Sequence, residues 1–234
     1  MKTTIGALFY GDYPELAERC LTSFWPLVAQ GKVKLRVGLN AVGQRTRAFL
    51  LNLVDELPEE CRKNVWIEDS LENIHKYPML RRLIDKTDTE NFCWFDDDSY
   101  LSTTPQKWLE YVQERIEYAD MLGAIYTIGA QGGQIEWIKH QPWYRGEAVR
   151  TPFSFITGGW WMIRKSVLEA TGWPWPTLDH RGGDVMLGVA LAQFKFTKSN
   201  CTFGVKINAD TEGNNGKSPR RGFDSKPVGF DFKV

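Results

Sequence analysis

The sequence lacks several patterns that mark particular protein classes. Its four cysteines are scattered without a Cys-x-x-Cys pair, which argues against a zinc site or a disulfide framework and predicts reduced thiols. Its three histidines show no His-x-x-x-His spacing. Lys plus Arg and Asp plus Glu both number 29, so the net charge is zero and gives no indication of a nucleic-acid or membrane partner.

Membrane segments and familiar catalytic motifs are also missing. The sequence shows no signal peptide and no apolar run long enough to span a bilayer, so we expect a cytoplasmic protein with no membrane partner. We find no Gly-x-Gly-x-x-Gly after the first predicted strand, no Gly-Lys-Ser/Thr phosphate loop and no Ser-His-Asp signature.

Strand and helix patterns alternate through the first half of the chain. Residues 3–9, 33–39, 65–67 and 92–95 have strand character, and helical spacing separates them. This order predicts an α/β fold with a Rossmann-like, mostly parallel central sheet and helices on both faces.

The second half predicts helices that open at Pro105 and at Gly183, and strands at 121–126, 157–163 and 202–207. Residues 127–154 lose periodicity and are predicted to form a long functional loop. We therefore expect mixed strands in this half, one domain over residues 1–207, and a flexible or lid-like tail over 208–234.

An acidic triplet ends the strand at 92–95. Asp96, Asp97 and Asp98 follow an apolar run directly, and like charges so close together repel unless a cation neutralises them. Carboxylates suit a hard divalent metal, although a solvated Asp-rich turn explains the triplet equally well. Asp12 and Asn40 also follow predicted strands, so all three positions converge at the carboxyl edge of the sheet, where ligands bind in such folds.

Other candidate residues have one functional and one structural interpretation. Asp184 sits at a predicted helix start, either as a general base or as a plain helix cap. Lys76 and Arg81 either bind phosphate or lie on a solvated helix face. Gly158 and Gly159 permit close approach of a ligand, and Trp160 and Trp161 either stack on a sugar or belong to the core.

Three segments together resemble the GT-A class of nucleotide-sugar-dependent glycosyltransferases, including its fringe-like and β-1,3-galactosyltransferase-like inverting members. The segments run from Trp94 to Tyr100, similar to the Asp-x-Asp motif, from Gly158 to Ile163, and from Gly183 to Gly188. The run from Lys76 to Arg82 also looks like phage-type members, some of which glycosylate hydroxylated DNA bases.

The resemblance implies a role for each matching position. It implies a nucleotide-sugar-binding half at 1–104 and an acceptor-binding half at 105–207. Asp184 would be the catalytic base of an inverting transfer, and Mn²⁺ or Mg²⁺ would be the cofactor. The remaining roles fall to donor residues Tyr10, Asp12, Asn40, Lys76, Arg81, Asp96 and Asp97; metal residues Asp96, Asp98 and Asp210; and acceptor residues Gly158, Gly159, Trp160 and Trp161.

The sequence departs from the family pattern at two places. No histidine follows His180 to serve as a late metal ligand, so Asp210, Asn208 or water is the candidate substitute. Gly183 stands where many members have an acidic residue. UDP-sugar is the expected donor, and the acceptor is a glycan, a small molecule or modified DNA. Two alternatives stay open: a sugar nucleotidyltransferase, and a non-catalytic Ca²⁺-dependent module that binds carbohydrate or nucleic acid.

Overall fold

A computed structural model describes residues 1–178 and 182–207. The strands within these residues are β1 Thr3–Gly11, β2 Lys34–Val42, β3 Val65–Ser70, β4 Asn91–Asp96, β5 Tyr100–Leu101, β6 Met121–Ile128, β7 Phe153–Arg164, β8 Lys198–Asn200 and β9 Val205–Lys206. The helices are α1 Pro14–Ala29, α2 Gln44–Asp55, α3 Glu59–Arg62, α4 Lys76–Asp85, α5 Pro105–Ile116, α6 Gln134–Lys139, α7 Lys165–Thr171 and α8 Gly183–Gln193.

Seven strands form one central sheet in the order β3-β2-β1-β4-β7-β6-β8. Neighbours among β1 to β4 pair in parallel, β7 runs antiparallel to both β4 and β6, and β8 is parallel to β6. The predicted α/β fold with a mostly parallel sheet and mixed strands in the second half is therefore confirmed. The carboxyl ends of β1, β2 and β4 lie at one edge of this sheet.

Helices cover both faces of the sheet, as predicted. Because successive strand side chains point to opposite faces, Phe95 and Trp160 join the core beneath α1 and α5, whereas Trp94 and Trp161 join the core beneath α4, α7 and α8. Trp94 and Trp161 stack with ring centroids 6.1 Å apart. This double core fixes the end of β4 and the middle of β7 side by side.

Two regions differ from the prediction. The expected loop at 127–154 contains the last residues of β6, helix α6 and the start of β7; α6 was missed because six residues are too short to show a periodic apolar face. The expected strand at 202–207 is shortened to the two residues of β9, and β8 lies before it at 198–200, where no strand was predicted. β8 is a polar Lys-Ser-Asn edge strand, which lacks the alternating apolar residues that mark a strand.

None of the helices in the described residues is long and apolar enough to cross a membrane. The four cysteines Cys20, Cys61, Cys93 and Cys201 are free and buried.

Candidate active site

The acidic triplet lies at the end of β4, at the carboxyl edge of the sheet. The side chains of Asp97 and Asp98 are buried, at 4% and 2% exposure, and Asp96 is partly exposed. The Ser99 amide donates to the Asp96 carbonyl at 2.9 Å and closes the turn. Cys20 of α1 lies behind this turn, where burial and then the negative charges of the triplet raise its thiol pKa well above the usual value. The triplet therefore concentrates negative charge in a fixed place.

Lys76, the first residue of α4, neutralises the first carboxylate. Its ammonium donates to both oxygens of Asp96, at 2.7 and 2.8 Å, and to the Gly158 carbonyl at 3.0 Å. The Trp94 indole donates to the same Asp96 carboxylate at 2.8 Å. The end of β4 is thereby connected to the middle of β7 through one lysine.

Asp184 lies in the first turn of α8 and points toward the same group of atoms. Its Oδ1 accepts from the Val185 amide at 2.9 Å. A Cβ placed on Gly158 would lie 3.7 Å from Asp184 Oδ2 and 3.2 Å from Lys76 Nζ, so the absent side chain of Gly158 leaves the space in which these groups approach. The helix start predicted from sequence therefore holds its carboxylate against β7 and α4.

Burial dominates the electrostatics of Asp184. It raises the carboxyl pKa above its ordinary value, while the charge of Lys76 and backbone N–H groups of Val185, Asp184 and Gly158 lower it. A carboxylate with a raised pKa is a stronger base than a solvated one. Asp184 is therefore a chemically suitable proton acceptor.

Tyr77 explains the glycine that precedes Asp184. A Cβ on Gly183 would lie 2.3 Å from Cζ of the Tyr77 ring, so no larger side chain fits there without movement. Burial, followed by the charges of Asp184 and Asp96, raises the Tyr77 pKa well above its usual value, while hydrogen bonds from the Asp184 and Gly183 amides lower it. The Tyr77 ring from α4 therefore accounts for the glycine at position 183.

A small cavity of about 10 Å³ lies between α4, β7 and α8, and its lining includes Lys76, Tyr77, Gly158, Trp161, Trp173 and Asp184. That volume is about the room that one water molecule needs. Within the described residues, this cavity beside Asp184 therefore has room for about one water-sized group.

The triplet suits a metal only when other ligands complete the site. Residues 1–178 and 182–207 contain no group of three His, Cys, Asp or Glu side chains arranged to hold a metal. Mg²⁺ commonly takes one or two protein carboxylates and fills its remaining positions with phosphates and water. The acidic turn at 96–98 fits this shared type of binding and does not form a closed protein cage.

The fold and this geometry were compared with known proteins. No protein-family profile matches the sequence, and no curated protein sequence matches it. Many solved structures are similar. A Pyrobaculum calidifontis mannosyltransferase, PcManGT, in complex with GDP-Man and Mn²⁺, has a TM-score of 0.61 and 14% identity over 86% of this chain and 54% of its own.

S. aureus TarS is also similar. A TarS fragment has a TM-score of 0.54 and 12% identity, over 87% of this chain and 58% of that one. The same fragment with UDP-GlcNAc has a TM-score of 0.53 and 13% identity. The chain has the GT-A fold of these glycosyltransferases. It spans little more than half the length of each, at 54% to 58%.

The GT-A sheet brings the predicted nucleoside residues to one edge. Tyr10 of β1 pairs in register with Asn40 of β2. Asp12 is exposed and caps α2, because its Oδ1 accepts from the Thr46 amide at 3.0 Å and from its hydroxyl at 3.2 Å. Asn40 is buried at 3% exposure, and its amide bonds to Asn73 and to the Ile74 amide, both at 2.9 Å. Asn40 thus orders the loop before α4.

Arg81 has partners other than those predicted. It donates to the carbonyls of Pro174 at 3.0 Å and Trp175 at 2.7 Å, so it fastens the aromatic loop after α7. The tryptophans predicted to face an acceptor are also placed differently, since Trp160 and Trp161 are 0% and 2% exposed and belong to the two cores. β7 is central in the sheet, where both faces are covered, and this explains their burial.

Gly159, also predicted on the acceptor side, is buried beside Gly158. Asp210, Asn208 and His180 lie outside the described residues. Tyr77 was missed by sequence reasoning, because a tyrosine on a helix looks like an ordinary core residue until its partner on α8 is known.

Proposed function

We propose that this chain is a metal-dependent inverting glycosyltransferase. It moves a sugar from a nucleoside diphosphate sugar, a UDP-sugar, to an acceptor hydroxyl. One observation carries the proposal: Asp184 is held at the carboxyl edge of a GT-A sheet, beside Gly158 and the Lys76 that binds the acidic triplet. We take the acceptor to be a glycan, a small molecule or a hydroxylated base in DNA.

Two of the similar structures support a nucleotide-sugar donor. PcManGT is solved with GDP-Man and Mn²⁺, and TarS with UDP-GlcNAc. We assign the nucleoside to the edge formed by Tyr10, Asp12 and the loop ordered by Asn40. Asp98 would hold Mn²⁺ or Mg²⁺, and Asp96 would contact either the ribose or the metal through water. When bound, the metal stabilises negative charge on the departing nucleoside diphosphate.

The chain's own residues position the acceptor and accept its proton. Asp184 takes the proton of the acceptor hydroxyl while the oxygen bonds to the anomeric carbon. The bond from that carbon to the diphosphate oxygen breaks, and the nucleoside diphosphate leaves with the electron pair. Because attack and departure occur on opposite faces, the anomeric configuration inverts.

Replacing the proposed base tests this reaction. Asp184→Asn keeps the size of the side chain but removes the proton acceptor, so we expect kcat to fall by about 10²- to 10⁴-fold while the donor still binds. The exposed Asp85→Asn on α4 serves as the control. Transfer is measured from released UDP and from the stereochemistry of the product.

The pH dependence of the wild-type enzyme adds a second readout. Since the pKa of Asp184 is raised, the rate should fall as pH decreases through a value above that of an ordinary Asp. If Asp184→Asn transfers sugar at the wild-type rate, the assignment of the base is wrong. Release of pyrophosphate from a nucleoside triphosphate and a sugar phosphate would favour a nucleotidyltransferase instead.

A further inference from the structure

The ammonium of Lys76 has acceptors for all of its protons. A lysine ammonium carries three N–H groups, and Lys76 donates to Asp96 Oδ1, to Asp96 Oδ2 and to the Gly158 carbonyl. Nζ also lies 5.5 Å from the centre of the Trp94 ring. An ammonium engaged in this way has no proton left for a phosphate of the donor. The family resemblance, by contrast, implies that Lys76 binds the donor.

The same ammonium is the positive charge beside Asp184. The point where a Cβ of Gly158 would lie is 3.2 Å from Lys76 Nζ and 3.7 Å from Asp184 Oδ2. Among residues 1–178 and 182–207, the other groups that face Asp184 are the Tyr77 hydroxyl from α4, which its raised pKa keeps neutral, and the backbone amides of Gly158, Asp184 and Val185. Asp96 accepts two hydrogen bonds from Lys76.

We infer that Lys76 is a positioning residue for the base: its ammonium joins the end of β4 to Gly158 in the middle of β7 and keeps Asp184 ionised, and it does not serve as a ligand of the donor phosphates. This inference rests on the proposed function, because it assigns Lys76 to the proton-transfer side of the same site. Within the part of the chain that the structure describes, removal of the charge leaves the backbone amides of Gly158, Asp184 and Val185 to oppose protonation of Asp184.

Lys76→Met tests the inference, because methionine keeps an unbranched apolar stem without the charge. We expect the acid side of the kcat profile to move to higher pH by about one unit or more. At pH values on this acid side, kcat should be about tenfold lower than in the wild type, while the KM for the donor changes less than about threefold. Lys76→Arg should restore most of the wild-type profile, and Lys139→Met, which removes an exposed lysine on α6, is the control.

A titration that needs no turnover separates this inference from the proposed function. Carboxyl ¹³C NMR follows Asp184, whose signal is identified by its loss in Asp184→Asn, in the wild-type protein and in the Lys76 variants. A higher titration midpoint in Lys76→Met supports the inference even if no transfer is found, in which case the proposed function alone fails. If Lys76→Met does not fold, Lys76→Gln and Lys76→Arg are compared in the same way.

Two results would overturn the inference. One is an unchanged Asp184 titration in the charge-removing variants. The other is a donor KM raised tenfold or more with an unchanged pH profile, which would make Lys76 a phosphate ligand.

Discussion

Gly183→Ala is the most direct test of how α4 holds the start of α8. The new Cβ would lie 2.3 Å from Tyr77 Cζ, more than 1 Å closer than the 3.4 Å of ordinary van der Waals contact. The Tyr77 ring has little room to retreat, because it meets the Trp173 ring edge-on at 5.6 Å and its hydroxyl binds the first amides of α8. The Trp173 indole also donates to the Gly183 carbonyl at 3.1 Å.

Overpacking of this kind costs about 1–3 kcal/mol. Replacing glycine by alanine in a helix returns at most about 1 kcal/mol, and less at the first residue of α8. We therefore expect the free energy of unfolding to fall by about 1–2 kcal/mol. A displacement of about 1 Å at a reacting group can lower a rate by about 10²-fold. We therefore expect a large fall in kcat even where the loss of stability is modest.

Urea unfolding and transfer kinetics measure both effects. Gly132→Ala is the matched control, since a Cβ there meets nothing within 4 Å and should change stability by less than about 0.5 kcal/mol. Combining Gly183→Ala with Tyr77→Leu should cost less than the two changes added together, because the second removes the ring that the first strikes. Wild-type stability and activity in Gly183→Ala would refute the role assigned to Tyr77.

Two further predictions concern neighbouring residues. Arg81→Ala should lower the free energy of unfolding by about 1.5–3 kcal/mol without raising the donor KM, because Arg81 donates to the carbonyls of Pro174 and Trp175. The control is Arg82→Ala, which removes an exposed ion pair with Glu68 and should lower the free energy of unfolding by less than about 1 kcal/mol. If Arg81→Ala instead weakens donor binding at unchanged stability, its assignment to the loop fails. UDP should raise the melting temperature in the presence of Mn²⁺ and not in its absence, and Asp98→Asn should abolish that rise relative to its own baseline; an equal rise without metal would contradict the proposed ligand.

The order of elements was predictable from sequence because each depends on local patterns. Alternating apolar residues marked β2, the apolar run before Asp96 marked β4, and two glycines before an apolar stretch marked the start of α8. The carboxyl-edge position of Asp12, Asn40 and Asp96 followed from the rule that parallel strands end at a common edge. These inferences needed no knowledge of which side chains meet.

The partners of the candidate residues were not predictable, because they are distant in sequence. Lys76 meets Gly158 across 82 residues, and Arg81 meets Trp175 across 94. A basic residue on a helix shows its charge in the sequence but not its acceptor, so phosphate binding and loop fastening look alike. Trp160 and Trp161 likewise carry no sign of their burial, since it depends on β4 and β6 pairing with β7 on either side and on helices covering both faces of the sheet.

The arrangement makes the first turn of α4 the common support of the site. Lys76 and Tyr77 are consecutive, and successive residues on a helix point about 100° apart, so one side chain reaches β4 while the next reaches α8. The loop that delivers this turn is fixed from β2, where the buried Asn40 amide bonds Asn73 and Ile74. The end of β2 therefore positions the start of α4, where Lys76 and Tyr77 lie. Lys76 contacts the acidic turn and Tyr77 contacts the start of α8, so the two residues hold the acidic turn and Asp184 near each other.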